Sequence, residues 1–213
     1  METVKKLELS TDKAHEAMNF LMQQDLMGYI IKDLDTLGLV GEDQNKILTY
    51  LVATSRKMEN PLACVIRGDS SSGKSCLAET VVKLIPDKEK EALTRITKQV
   101  LFYENNLANK LIYIKEADGC EESISNIRTL LSEKKLSLKR LVGTKVESFE
   151  VKGPVAFIET TANEMVENQT ATRVFEIWMD ESQEQTEEIH KIQKRQYGLA
   201  GAFKRKPTVS SCF

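Results

Sequence analysis

Histidine is nearly missing from this chain, with two among 213 residues, and the four cysteines, at 64, 76, 120 and 212, show no C-x-x-C spacing. Neither set offers a zinc site, and four thiols spread over so long a chain do not make the disulfide framework of a small secreted domain. Cys64 and Cys76 read as small core residues. An excess of one charge is missing too. Thirty basic and 32 acidic residues leave a formal −2, so contact with nucleic acid would need a local basic patch rather than a global field. No apolar run approaches the length of a membrane span, and the opening Met1-Glu2-Thr3-Val4-Lys5-Lys6 leads into no apolar signal core. A cytoplasmic protein without membrane contact is expected. Repeats and low-complexity tracts are absent as well.

What is present is 41% apolar residues, enough to fill the core of one domain with an appendage. Residues 68 to 75 read Gly-Asp-Ser-Ser-Ser-Gly-Lys-Ser, a complete G-x-x-x-x-G-K-[ST] phosphate loop. The apolar run Leu62 to Ile66 before it suits a buried parallel strand, and Leu77, Val81, Leu84 and Ile85 after it recur at helical spacing. A loop between strand and helix aims backbone N–H groups and the positive helix end at phosphates. Gly68, Asp69, Ser70, Ser71, Ser72, Gly73, Lys74, Ser75 and Cys76 are therefore the expected nucleotide contacts. Lys74 supplies charge to the β and γ phosphates of ATP, and the Ser75 hydroxyl is the expected Mg2+ ligand.

Around this motif the chain divides into three stretches. Residues 1–60 read as helices, one capped by Asp25 and stopped by Gly38, with Met18, Met22 and Met27 as core filler. Residues 61–181 alternate strands and helices: strands at 62–66, near 92–97, at 111–114 and from Pro154, helices at 75–85 and about 121–132, and a hairpin at about 136–151. Residues 182–213 hold one helix and a tail. The fold class expected is α/β, a P-loop NTPase with a parallel sheet flanked by helices, an N-terminal helical segment and a β-hairpin insertion.

A P-loop ATPase also needs acids at the end of a strand beside the loop. Leu111 to Ile114 is the apolar strand that ends in acids, at Lys115-Glu116-Ala117-Asp118. A pair of adjacent acids is broken in either register, by Lys115 or by Ala117. Because side chains alternate along a strand, Lys115 and Glu116 fall on opposite faces, and Glu116 is the expected acid for the metal, with Asp118 a candidate second carboxylate where the chain turns, against a solvated Asp in a loop before Gly119. ATP binding is thus a firmer expectation than hydrolysis. The strand from Val155 runs into Thr160-Thr161-Ala162-Asn163, where Thr161 and Asn163 are candidates to touch the γ-phosphate or hold water, against ordinary turn chemistry. Arg173 precedes the apolar run Val174 to Trp178 and is a candidate finger in trans, against a surface ion pair.

Taken in order, Leu37-Gly38-Leu39-Val40-Gly41-Glu42, Asn45-Lys46, Ala53 to Lys57, the phosphate loop, Gln99 to Tyr103, Leu130 to Glu133, Thr160-Thr161 and Asp180-Glu181-Ser182 resemble the AAA+ ATPase domain of phage and mobile-element primase–helicases. The resemblance covers about residues 20 to 195. It implies an ATP-driven motor that assembles as a homo-oligomeric ring, a hexamer, around DNA, with a primase as partner. It also gives the hairpin a role: Lys139, Arg140 and Lys145 near its tip would contact DNA phosphates without reading sequence. Residues 182–213 are short for the helical lid of such ATPases, so a reduced helicase subunit is expected, with Arg195 in a lid position. The rival reading is a catalytically weak, ATP-dependent scaffold or loader, which the broken acid pair favours. A small-molecule kinase would need an arginine-rich lid and a GTPase an N-K-x-D motif, and neither is found.

Overall fold

The computed structural model describes residues 10–97, 100–103, 106–117, 120–142, 145–162 and 174–197. The chain opens with three helices, α1 (Thr11–Leu21), α2 (Leu26–Thr36) and α3 (Asp43–Thr54). It continues through β1 (Ala63–Arg67), α4 (Lys74–Lys83), β2 (Lys90–Leu93), β3 (Lys110–Ile114) and α5 (Glu121–Glu133). The hairpin strands β4 (Lys135–Val142) and β5 (Lys145–Lys152) precede β6 (Val155–Thr161), β7 (Phe175–Trp178) and α6 (Gln183–Tyr197).

Five strands form one parallel sheet in the order β2-β3-β6-β1-β7. Every residue of β1 and β6 is buried, which is why Ala63 to Ile66 and Val155 to Ile158 read as unbroken apolar runs rather than alternating ones. On one face α2, α3 and α4 pack Ile30, Leu34, Val52, Leu77 and Val81 against Cys64, Ile66, Tyr113 and Ile158. On the other, α5 and the base of the hairpin pack Ile127, Leu130, Leu136 and Val151 against Ile112, Ile114 and Phe157. The α/β architecture is the one expected from sequence.

Local signals set the helix ends. Asp25 Oδ1 accepts from the Gly28 N–H at 3.0 Å and caps α2, and a Cβ at Gly28 would sit 2.1 Å from the same carboxylate. At the far end Gly38 takes φ +106°, its N–H reaching Asp35 O at 3.0 Å and that of Leu39 reaching Leu34 O at 3.2 Å. This is a Schellman stop, closed by the buried pair Leu34 and Leu39.

Two expectations change. Met18 and Met22 are 55% and 73% exposed and only Met27 joins the core, because α1 buries none of its residues. The second strand covers 90–93 rather than 92–97: β2 pairs with β3 alone and ends where β3 ends, at Leu93 opposite Ile114. Among the described residues no helix is long and apolar enough to cross a membrane.

Candidate nucleotide-binding site

The phosphate loop leaves the end of β1 at a point flanked by two strands. Arg67 stands opposite Thr161 of β6 on one side and Trp178 of β7 on the other. The loop then folds back so that Ser72 N–H meets Asp69 O at 3.2 Å. Ser71 takes φ +70° and Gly73 +92°, the latter directly before α4. The N-cap residue Gly73 makes no side-chain cap hydrogen bond, and the first turn of α4, Lys74, Ser75 and Cys76, opens directly from the loop.

Four features fit a polyphosphate. Gly68, at φ +151°, has no room for a Cβ, which would fall 2.6 Å from Ser72 Oγ and 2.8 Å from Glu181 Oε1. The Ser72 hydroxyl is buried with no hydrogen-bond partner among the described residues. The Lys74 ammonium is folded onto the loop itself, donating to Gly68 O at 2.7 Å and to Asp69 O. Finally, a carboxylate already lies on the loop: Glu181 Oε1 accepts from the Asp69 N–H at 2.5 Å. A backbone N–H that holds one anion is built to hold another.

Beside the loop lies a small apolar-lined cleft, walled by Gly38, Leu39 and Val40, by Cys76 at the start of α4, and by Met179 and Gln185. A separate cleft, lined by Phe20, Tyr50, Arg56 and Ile85, sits toward the far end of α4 and contains no phosphate-loop residue. The cleft at the loop is closed by a strap, residues 178–185, buckled to the turn before α3. Met179 N–H extends the sheet ladder to Arg67 O at 3.0 Å. Asn45 Nδ2 donates to Trp178 O at 2.8 Å, Asp180 N–H to Glu42 Oε1 at 2.7 Å, and Gln185 Nε2 to Val40 O at 2.6 Å. The strap turns into α6 through Ser182: its N–H reaches Asp180 Oδ1 at 2.9 Å and holds that carboxyl below its usual range, while its Oγ accepts from Gln185 N–H.

A family model described as the MTBMA_p00010 P-loop domain matches residues 8–206. The chain belongs to this P-loop family. It matches no curated protein.

Other candidate residues of this family member are spread more widely. Lys115 and Glu116 do fall on opposite faces, but the one directed to α4 is Lys115, whose Nζ lies 2.6 Å from Glu79 Oε1. Glu79 is one helical turn beyond Ser75 on α4, so an ion pair stands on the helix face that carries the expected metal ligand. Glu116 instead meets Arg95, 3.2 Å away, with both side chains more than half exposed. Glu116, expected to face the metal without an ammonium beside it, thus has a guanidinium as its neighbour, while the ammonium of Lys115 goes to Glu79. Among the described residues no three His, Cys, Asp or Glu side chains gather as a metal cluster.

Thr161 closes β6, buried, in register with Arg67. Its neighbour Thr160 ties the strand ends together: its hydroxyl donates to Lys115 O, and its carbonyl accepts from Ala117 N–H at 3.1 Å. Asn163, Arg173 and Asp118 lie outside the described residues. In the hairpin Lys139 is exposed opposite Ser148, and the register places Arg140 opposite Glu147 and Lys145 opposite Val142. Near the tip Leu141 and Val146 face each other, 70% and 65% exposed.

Glu42, Asn45, Glu181 and Gln185 are the residues that sequence reasoning left without a role. Three of them sit in the segments that carried the resemblance, but a contact between residue 42 and residue 180 leaves no local pattern to read.

Proposed function

We propose that this P-loop domain binds ATP with Mg2+ at residues 68–76, the base entering the cleft between Val40 and Gln185, and uses the bound nucleotide to set its assembly with further copies of itself. The observation that carries this reading is the anion-ready loop, with an uncapped helix start, an orphaned Ser72 hydroxyl and a carboxylate on the Asp69 N–H. Lys74 turns from the loop carbonyls to the phosphates, and Ser75, in the first turn of α4, takes the Mg2+. Slow turnover is supported by the acid geometry: an ammonium and Glu79 pair on the α4 face, while Glu116 is engaged by Arg95. The module is then an ATP-dependent scaffold or loader.

The second reading is the helicase-like AAA+ motor on DNA, acting in the replication of a phage or mobile element, as a ring with a primase partner. What favours it is a two-stranded ribbon that extends past its packed base and carries Lys139, Arg140 and Lys145 in its outer half. Glu116, Thr161, Asn163 and Arg173 would supply its chemistry.

ATP binding and hydrolysis by the full chain, with and without single-stranded DNA and with Lys74→Ala as the blank, separate the two. Binding that Lys74→Ala removes, with little turnover in either condition, is the expected result. DNA-stimulated turnover would establish the motor instead, and no nucleotide binding at all would overturn both.

A further inference from the structure

We infer that Glu181 is a resident competitor for phosphate, an internal carboxylate that occupies the anion cradle until nucleotide displaces it, so that filling the site also releases the strap. This rests on the nucleotide reading of the loop.

Three observations carry it. First, the Glu181 carboxylate accepts from the Asp69 N–H, inside the phosphate loop, and its Oε1 lies 2.8 Å from the space a Gly68 Cβ would fill. A phosphate oxygen on the same N–H and this carboxylate exclude one another by volume and by charge. Second, the strap does not need Glu181 for its own structure. The turn into α6 is made by Asp180 and Ser182, and the ladder is extended by Met179, leaving Glu181 an exposed side chain whose hydrogen bond goes to the loop. Third, the residues on either side of it are tied to the N-terminal turn: Asp180 N–H to Glu42 and Gln185 to Val40, a wall of the adjoining cleft. Displacing Glu181 therefore pulls on contacts that join the two ends of the domain. A ligand that must first open a closed state loses apparent affinity by the fraction that is open.

The test is titration of the full-length chain with ATP, with inorganic pyrophosphate and with adenosine, in wild type, Glu181→Ala, Glu181→Gln and Asp180→Asn. In Glu181→Ala the dissociation constants for ATP and pyrophosphate are expected to fall about tenfold, as for a site held closed some nine-tenths of the time, while that for adenosine stays put. Glu181→Gln, whose amide oxygen still accepts from Asp69, should lie between. Asp180→Asn removes a neighbouring charge without touching the loop and should move far less. Equal ATP affinity in wild type and Glu181→Ala, or weaker binding in the variant, overturns the competitor role and leaves the nucleotide site standing. An equal gain in Glu181→Ala and Asp180→Asn reports bulk charge alone and overturns it too. If no variant binds ATP or pyrophosphate, the nucleotide reading itself falls, and the competitor with it.

Discussion

Lys46 lies at the join of α2 and α3 with its side chain fully buried, its ammonium held by Asp35 and, at 3.2 Å, by Asp43. The two carboxylates are 49% and 62% exposed, so the energetic weight falls on the lysine: a buried ammonium is tolerable only while it is paired. Removing both partners, by Asp35→Ala with Asp43→Ala, should cost about 3 kcal/mol, the lower end for a broken buried pair because some water reaches the site. Lys46→Met keeps the buried stem and deletes the charge, and should cost less than the double variant. Urea unfolding of the three proteins gives the order directly, and a Lys46→Met protein as unstable as the double variant would mean that the ion pair itself carries the stability. At this scale the phosphate loop was legible, since its fixed positions Gly68, Gly73, Lys74 and Ser75 are demanded by backbone geometry or charge. The facing of Lys115 and Glu116 was not. Leu111 to Ile114 is apolar on both faces, so alternation separates the two side chains without saying which one looks toward α4.

Between elements, the turn after α3 is fastened to residues 87–89 by one carboxylate. Glu89 receives Lys57 Nζ at 2.7 Å and Arg56 Nε at 3.0 Å, and these bonds, that from Lys57 first, hold its pKa below the ordinary 4.5. A lowered folded-state pKa means that the unfolded chain takes up the proton first as pH falls. The contribution is therefore complete above about pH 4.5 and disappears as pH drops through the lowered value. Glu89→Gln should accordingly be less stable than wild type at neutral pH, with the gap narrowing on acidification below pH 4.5, as thermal melts at a series of pH values would show. The hairpin is the other element with a property of its own. Its extent was readable, about 136–151 expected against the strands Lys135–Val142 and Lys145–Lys152, yet the exposed pairing of Leu141 with Val146 was not foreseen, because only the fold shows where the ribbon leaves the core. If the ribbon meets DNA, Lys139→Ala and Lys145→Ala should each weaken binding to any sequence and lower the salt slope by about one, leaving ATP affinity unchanged. Filter binding over a range of salt concentrations measures both; an unchanged slope would remove DNA from the hairpin.

Among the described residues, α2 and α3 share one core with α4 and the sheet. Leu34, Val52 and Ala53 of the N-terminal helices are 2% exposed or less and enclose the same core as Leu77, Val81 and Ile177, while the strap ties the chain's later segment back to residues 40–45. Sequence periodicity located α2 and α3 but drew a boundary at residue 60, where the helical stretch gives way to alternating strands and helices, while the core packing runs across it. α1 differs in kind: it buries no residue, and its described link to the rest is the edge contact of Phe20 with Tyr29, ring centres 6.2 Å apart. The layers therefore predict two different truncations. A chain starting at residue 23 should keep cooperative thermal unfolding and ATP binding, because removing α1 uncovers little. A chain starting at residue 61 loses one side of the sheet's cover, exposing apolar surface worth about 1.5 to 3 kcal/mol for each large side chain, against a total stability of only about 5 to 15 kcal/mol. It also loses Glu42, Asn45 and Val40, the anchors of the strap beside the phosphate loop. It should neither unfold cooperatively nor bind nucleotide, and a folded, ATP-binding 61–213 fragment would show that the N-terminal helices are an appendage after all.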